Sequence, residues 1–166
     1  MHYSDLDTQE KRHLVSLMVS CGETLDNLFN STGIPRRVLS KWKKEYCSKG
    51  KGKLYVLIDE RQESFKIGIT RRSVEERVKE LQTSLCGDLE VYLVVDALDP
   101  EGYEGFIHKF LTSTGKHLKR EWFNLDEQSR NYLQLLRKYK DNYLLHAFDC
   151  KIKHERLWEE ARTGGE

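Results

Sequence analysis

The run KLYVLI, Lys53 to Ile58, is followed after the polar stretch Asp59 to Ser64 by the run FKIGI, Phe65 to Ile69. Both runs are short and rich in aromatic and β-branched residues, and the stretch between them suits a turn, so they predict a β-hairpin. On its C-terminal side Ser73 can cap a helix with Glu75 and Glu76 in the first turn. Val74, Val78, Leu81 and Leu85 then fall on one stripe, which predicts a helix from about residue 74 to 84. Leu89 to Asp96 (LEVYLVVD) predicts a third strand, and Pro100 opens a helix carrying Tyr103, Phe106, Ile107, Phe110 and Leu111. The order β, β, α, β, α makes this part an α+β domain over residues 53–125. Residues 126–166 form a C-terminal extension, helical throughout 126–161 by its pattern of apolar residues, with Trp158 suited first to core packing and second to an interface.

On the N-terminal side the polar, glycine-containing stretch Ser48-Lys49-Gly50-Lys51-Gly52 marks a linker, assigned to residues 49–52. Residues 1–48 before it are all-α. Gln9 to Val19 and Glu23 to Asn30 carry apolar residues at helical spacing, and Thr32-Gly33 suits a helix end. Pro35 then opens a third helix with Val38, Leu39, Trp42 and Tyr46 inward. The outward positions of that helix are Arg36, Arg37, Ser40, Lys41, Lys43 and Lys44. Two helices, a glycine turn and a basic third helix have the form of a helix-turn-helix, in which Lys41, Lys43 and Lys44 reach phosphates while Arg36, Arg37 and Ser40 lie near the end that reads bases. A three-helix docking module with a solvated basic face is the plainer alternative. The stretch TGIPRRVLSKW, residues 32–42, resembles the turn and recognition helix of small transposase-like and phage helix-turn-helix modules.

Charged residues make up 33% of the 166, yet 28 Lys and Arg against 27 Asp and Glu leave a net charge of only +1. The positive excess sits mostly between Arg36 and Lys51, so any nucleic-acid affinity is local. Aromatics at 10% exclude a disordered chain. No apolar run approaches the roughly 20 residues that span a bilayer, and the N-terminus lacks a signal-peptide core, so the expected location is the cytoplasm and no membrane partner is expected. Four scattered cysteines without a C-x-x-C pair exclude a zinc finger or disulfide framework.

Several groups in the α+β domain carry chemistry. Tyr55 lies on the first strand of the hairpin, with Lys66 and Gly68 on the second, where a glycine admits the close approach of a backbone or ligand. Arg77 sits at the edge of its helix's apolar stripe, where a phosphate would suit it. Glu104 and His108, four residues apart, project side by side and can hold a divalent ion or orient a proton acceptor. Each also has an ordinary role: a strand residue, an arginine paired with Glu76 or Glu80, a surface pair.

In their order, LYVLI (54–58), FKIGIT (65–70), EERVKEL (75–81), Glu104-x-x-x-His108-x-Phe110 and REWF-x-L (120–125) resemble the GIY-YIG endonuclease superfamily. They most resemble its bacteriophage and meiotically up-regulated gene branch. The resemblance implies a small domain with a three-stranded antiparallel sheet flanked by helices. It makes Tyr55 the residue that activates the attacking water, and puts Lys66 in place of a second tyrosine, as a proton carrier or a phosphate contact. Arg77 becomes the stabiliser of phosphate charge, Glu104 the ligand of one Mg²⁺ or Mn²⁺, and His108 its companion. Glu121 either supports the site or ranks second as metal ligand. The activity implied is site-directed hydrolysis of double-stranded DNA, as in homing-type, phage or mobile-element nucleases, in a bacterial or phage-infected cell. One such site cuts one strand, so a monomer nicks and a double-strand break takes two encounters or a homodimer. The alternative is a non-catalytic helix-turn-helix DNA-binding protein or repressor with an inactive nuclease-like domain.

Overall fold

The computed structural model describes residues 3–20, 22–47, 51–84, 87–97, 100–139 and 150–164. The sequence readings at 48–50, 85 and 140–149 fall outside them.

A short 3₁₀ turn, Tyr3–Asp5, precedes three helices: α1 (Thr8–Ser20), α2 (Leu25–Thr32) and α3 (Arg36–Cys47). A reciprocal capping box starts α1: the Glu10 amide donates to Asp7 Oδ1 at 2.8 Å, and the Asp7 amide donates to Glu10 Oε2 at 2.7 Å. Thr24 caps α2 by accepting from the Asn27 amide, and Gly33 ends it in the left-handed region at φ 71°, donating its N–H to the Phe29 carbonyl. The turn therefore depends on a residue without a Cβ. Val15, Met18, Leu28, Ile34, Leu39 and Trp42 close the core of this unit, with Val38 and Tyr46 packed at its margin.

The α+β unit runs through β1 (Gly52–Asp59), β2 (Ser64–Thr70), α4 (Val74–Ser84), β3 (Glu90–Ala97), α5 (Pro100–Ser113), β4 (His117–Lys119), β5 (Trp122–Asn124), α6 (Glu127–Lys138) and α7 (Cys150–Thr163). Gly52, read as the last linker residue, already pairs with Ala97 in the sheet. The sheet is antiparallel and has five strands in the order β3-β1-β2-β5-β4, not the three expected. The two extra strands are three residues each, too short to show alternation in sequence, and they complete the second edge of β2 around the REWF segment.

One face of the sheet (Leu54, Val56, Phe65, Ile67, Leu93, Phe123) packs with α5, α6 and α7 through Ile107, Leu111, Tyr132, Leu133, Leu136 and Trp158. Trp158 lies edge-on to Phe110 and Tyr132, so packing accounts for it. The other face carries Tyr55 and Leu57 against Val74 and Val78 of α4.

His154 of α7 is fully buried, 5.4 Å from the Phe106 ring, and shares a 2.6 Å hydrogen bond with the Tyr132 hydroxyl. Burial holds its imidazole down to about 4, well below the ordinary 6.5. The unfolded chain binds the proton more readily, so stability falls as pH drops through 6.5 and levels off below about 4. Between pH 7 and 5 the expected loss is about 2 kcal/mol. Urea unfolding at the two pH values, compared with His154→Phe, checks this: the variant should lose much less.

Candidate active site

Register decides which side chains meet. Tyr55 stands opposite Gly68, Leu57 opposite Lys66, and Lys66 opposite Trp122. Strand alternation puts all of these on the α4 face of the sheet. Tyr55 is 1% exposed, and its ring lies directly on Gly68: a Cβ there would stand 2.5 Å from the hydroxyl oxygen and 2.7 Å from Cζ. The close approach expected at this glycine is real, and the group that approaches is the tyrosine itself. From α4, Arg77 hydrogen-bonds Tyr55 and holds Glu80 at 2.8 Å, while Glu80 also takes Arg72 at 2.8 Å. Burial pushes the Tyr55 phenol up and outweighs the hydrogen bond and charge of Arg77, so the hydroxyl keeps its proton at neutral pH. An ionised Tyr55 therefore requires more positive charge than the site itself provides.

Lys66 is a buried cation at 4% exposure. Its ammonium is ion-paired with Glu121, which precedes β5, and lies within the field of Glu104. Burial drives it down to about 8 against the pull of Glu104, and the half-exposed Glu121 carboxylate, screened by water, does not reverse this. Glu121, the second choice for a metal ligand, thus has Lys66 as its partner.

The third part of the site is an interrupted edge. β5 pairs only with Ser64, Phe65 and Lys66 of β2. Further along the same edge, α5 supplies the missing partners with side chains. His108 Nε2 lies 2.8 Å from the Ile67 carbonyl oxygen, and the Ile69 amide faces the Glu104 carboxylate and favours its charged form. Burial lowers His108, leaving a neutral ring whose Nε2–H donates to that carbonyl. Burial pushes Glu104 up, with Lys66 opposing. The i, i+4 spacing is legible in sequence, but the strand it serves is not.

Tyr55, Lys66, Arg77, Glu104 and His108 therefore converge around β2. Among the described residues no cluster of three or more His, Cys, Asp or Glu could cage an ion. Glu104 offers one hard oxygen ligand, which suits Mg²⁺ or Mn²⁺, ions that keep several waters and take one or two carboxylates plus phosphate oxygens. The donor set fits such an ion.

Of the basic residues on α3, Arg37, Lys41, Lys43 and Lys44 are exposed, as is Ser40, and none of these four cations has an acidic partner among the described residues. Arg36 differs: it is paired with Asp26 and lies 4.8 Å over the Phe29 ring, bracing α2 against α3. No described helix is long and apolar enough to cross a membrane.

Of the comparisons with known proteins, one gives a match. No curated protein and no solved structure matches the chain. A family model, the T5orf172 domain, matches residues 52–140, from the first residue of β1 to just past α6. That domain is phage-associated and related to nuclease-like folds. The match spans more than half of the chain and every residue of the converging site, so the chain belongs to the T5orf172 domain family.

Proposed function

We propose that this protein is a metal-dependent DNA endonuclease of GIY-YIG type, directed to its target by residues 1–48 acting as a helix-turn-helix. The observation that supports this best is the meeting of a phenol, a guanidinium, a low-pKa amine and a half-buried carboxylate on one face and edge of β2, within a nuclease-related domain. Phosphodiester hydrolysis needs a group to take a proton from water and positive charge around the phosphorus. Arg77, exchanging Glu80 for a phosphate oxygen, supplies charge. Lys66, held near 8, is deprotonated in part at slightly alkaline pH and serves as the proton carrier, with Tyr55 positioning the water through its hydroxyl. Glu104 would hold Mg²⁺ or Mn²⁺, which would supply further charge neutralisation. His108 fixes α5 against β2, keeping Glu104 in place.

Supercoiled plasmid incubated with Mg²⁺, Mn²⁺ or EDTA is the test. Metal-dependent conversion to open circles or linear DNA is expected, and Glu104→Ala should reduce it by at least about 10²-fold. A plasmid library carrying random-sequence inserts that is bound but left uncut with either metal overturns the enzyme and leaves a DNA-binding protein. The targeting role is tested separately. Replacing Lys41, Lys43 and Lys44 by alanine should lower the slope of log Kd against log salt by about 3. An unchanged slope would remove α3 from the DNA interface.

A further inference from the structure

A pocket of about 380 Å³ opens on the same face of the sheet as the site just described. Its floor is Asp59, Ser64 and Trp122, and its rim is Leu118, Lys119 and Arg120. The register places it. Ser64 lies one two-residue step from Lys66 along β2, about 6.8 Å. Asp59 is opposite Ser64, and Trp122 is opposite Lys66. The pocket is therefore the direct continuation of the catalytic face, on the side of Lys66 away from Tyr55.

Its lining is chemically mixed in a specific way. The Trp122 indole is partly buried and keeps some aromatic surface open, while Trp42 and Trp158 are buried at 8% and 9% exposure. Leu118 is an exposed large apolar side chain at 54%. Ser64 and Asp59 are recessed, at 5% and 4% exposure; Asp59 Oδ1 accepts from the Arg61 and Gln62 amides, which leaves Oδ2 and the Ser64 hydroxyl for the pocket. Gln62 adds an amide beside them. At the mouth, neither Lys119 nor Arg120 has an acidic partner among the described residues, although both are exposed. A flat aromatic surface, recessed hydrogen-bonding groups and two uncompensated cations are what a nucleobase with its flanking phosphates requires.

We infer that this pocket holds an unpaired nucleobase next to the scissile phosphate. Trp122 stacks on the base, Ser64, Asp59 and Gln62 meet its edge, and Lys119 and Arg120 hold the adjoining backbone. The base must be unpaired because the polar floor is recessed: a base within a duplex stack presents only its groove edge and cannot reach it. The inference rests on the nuclease reading for its substrate and adds to it. The preferred DNA is one with a locally unpaired segment, and a continuous duplex is second choice.

The test uses the full chain in EDTA, so that nothing is cut, with a labelled duplex and the same duplex carrying a short central bubble. The duplex arms are identical, so any contribution of α3 is common to both. Wild type should bind the bubble about tenfold more tightly. A single-stranded oligonucleotide should also quench tryptophan fluorescence, since Trp122 is the least buried of the three indoles. Arg120→Gly combined with Lys119→Ala should erase most of the bubble preference. Because Arg120 sits at φ 53°, glycine suits its backbone and this variant keeps the hairpin. Equal affinity for the two DNAs, or a preference that survives in the double variant, overturns the inference. Plasmid cutting without bubble preference removes the pocket and leaves the nuclease. Bubble preference and quenching without any cutting removes the nuclease and leaves the pocket.

Discussion

Gly68→Ala is expected to cost about 1–3 kcal/mol of stability and to lower cleavage by about 10²-fold or more. Alanine is acceptable in a strand, and Gly68 has an ordinary extended backbone, so propensity alone favours the substitution. The space does not. The new methyl would stand 2.5 Å from the Tyr55 hydroxyl and 2.7 Å from Cζ, and Tyr55 is closed in by Leu57, Val74 and Val78. The ring must tilt, and its hydroxyl then leaves Arg77. A double-mutant cycle with Tyr55→Ala separates this from a general strand effect: in the alanine background Gly68→Ala should cost little. Additive losses in urea unfolding would show that the glycine serves something other than the tyrosine.

Lys66→Met has the opposite profile, with stability gained and activity lost. Methionine matches the lysine stem in length and carries no charge. The folded state holds the Lys66 amine at about 8, below the 10.5 of the unfolded chain. The unfolded chain therefore binds the extra proton between those values. Wild-type stability rises with pH across that window, and below pH 8 the full penalty of burying the ammonium is present. Losing that penalty, less the lost attraction to Glu104 and Glu121, should make the variant about 1–3 kcal/mol more stable at pH 7. Its stability should also lack the alkaline rise. Cleavage should fall about 10²-fold, as expected when a proton carrier is removed. Without the neighbouring ammonium, Glu104 titrates higher, so the acidic limb of residual activity should move to higher pH. A variant less stable than wild type at pH 7, or one that cuts normally, would reverse the assignment of Lys66.

Features set by neighbours in the chain were legible in the sequence. Ser73 does cap α4, accepting from the Glu76 amide at 3.1 Å, and Gly33 does end α2. The hairpin and the apolar stripes of α4 and α5 formed where their spacing placed them, and the converging set around β2 consists of the residues singled out. What escaped depends on distant partners. β4 and β5 have too few residues to display a period. Arg36 reads as an outward cation until Asp26 and Phe29 fold back beneath it. Glu121 reads as a support of the site or a second-choice metal ligand until Lys66 comes to lie against it from across the sheet. The pocket beside Lys66 had a local signal, a tryptophan two residues after a Lys-Arg pair, but its floor comes from the end of β1 and the start of β2.

The interrupted edge of β2 also makes the backbone itself informative. The Ile69 amide faces a carboxylate from a helix, where its neighbours along the strand pair with partner strands. Were Glu104 to turn toward another ligand, that amide would be left to solvent. If Glu104 holds a metal as proposed, the hydrogen–deuterium exchange rate of that amide should rise when the ion is bound. Exchange at this one amide would then gauge the loading of the proposed site, at a position that no substitution has to create.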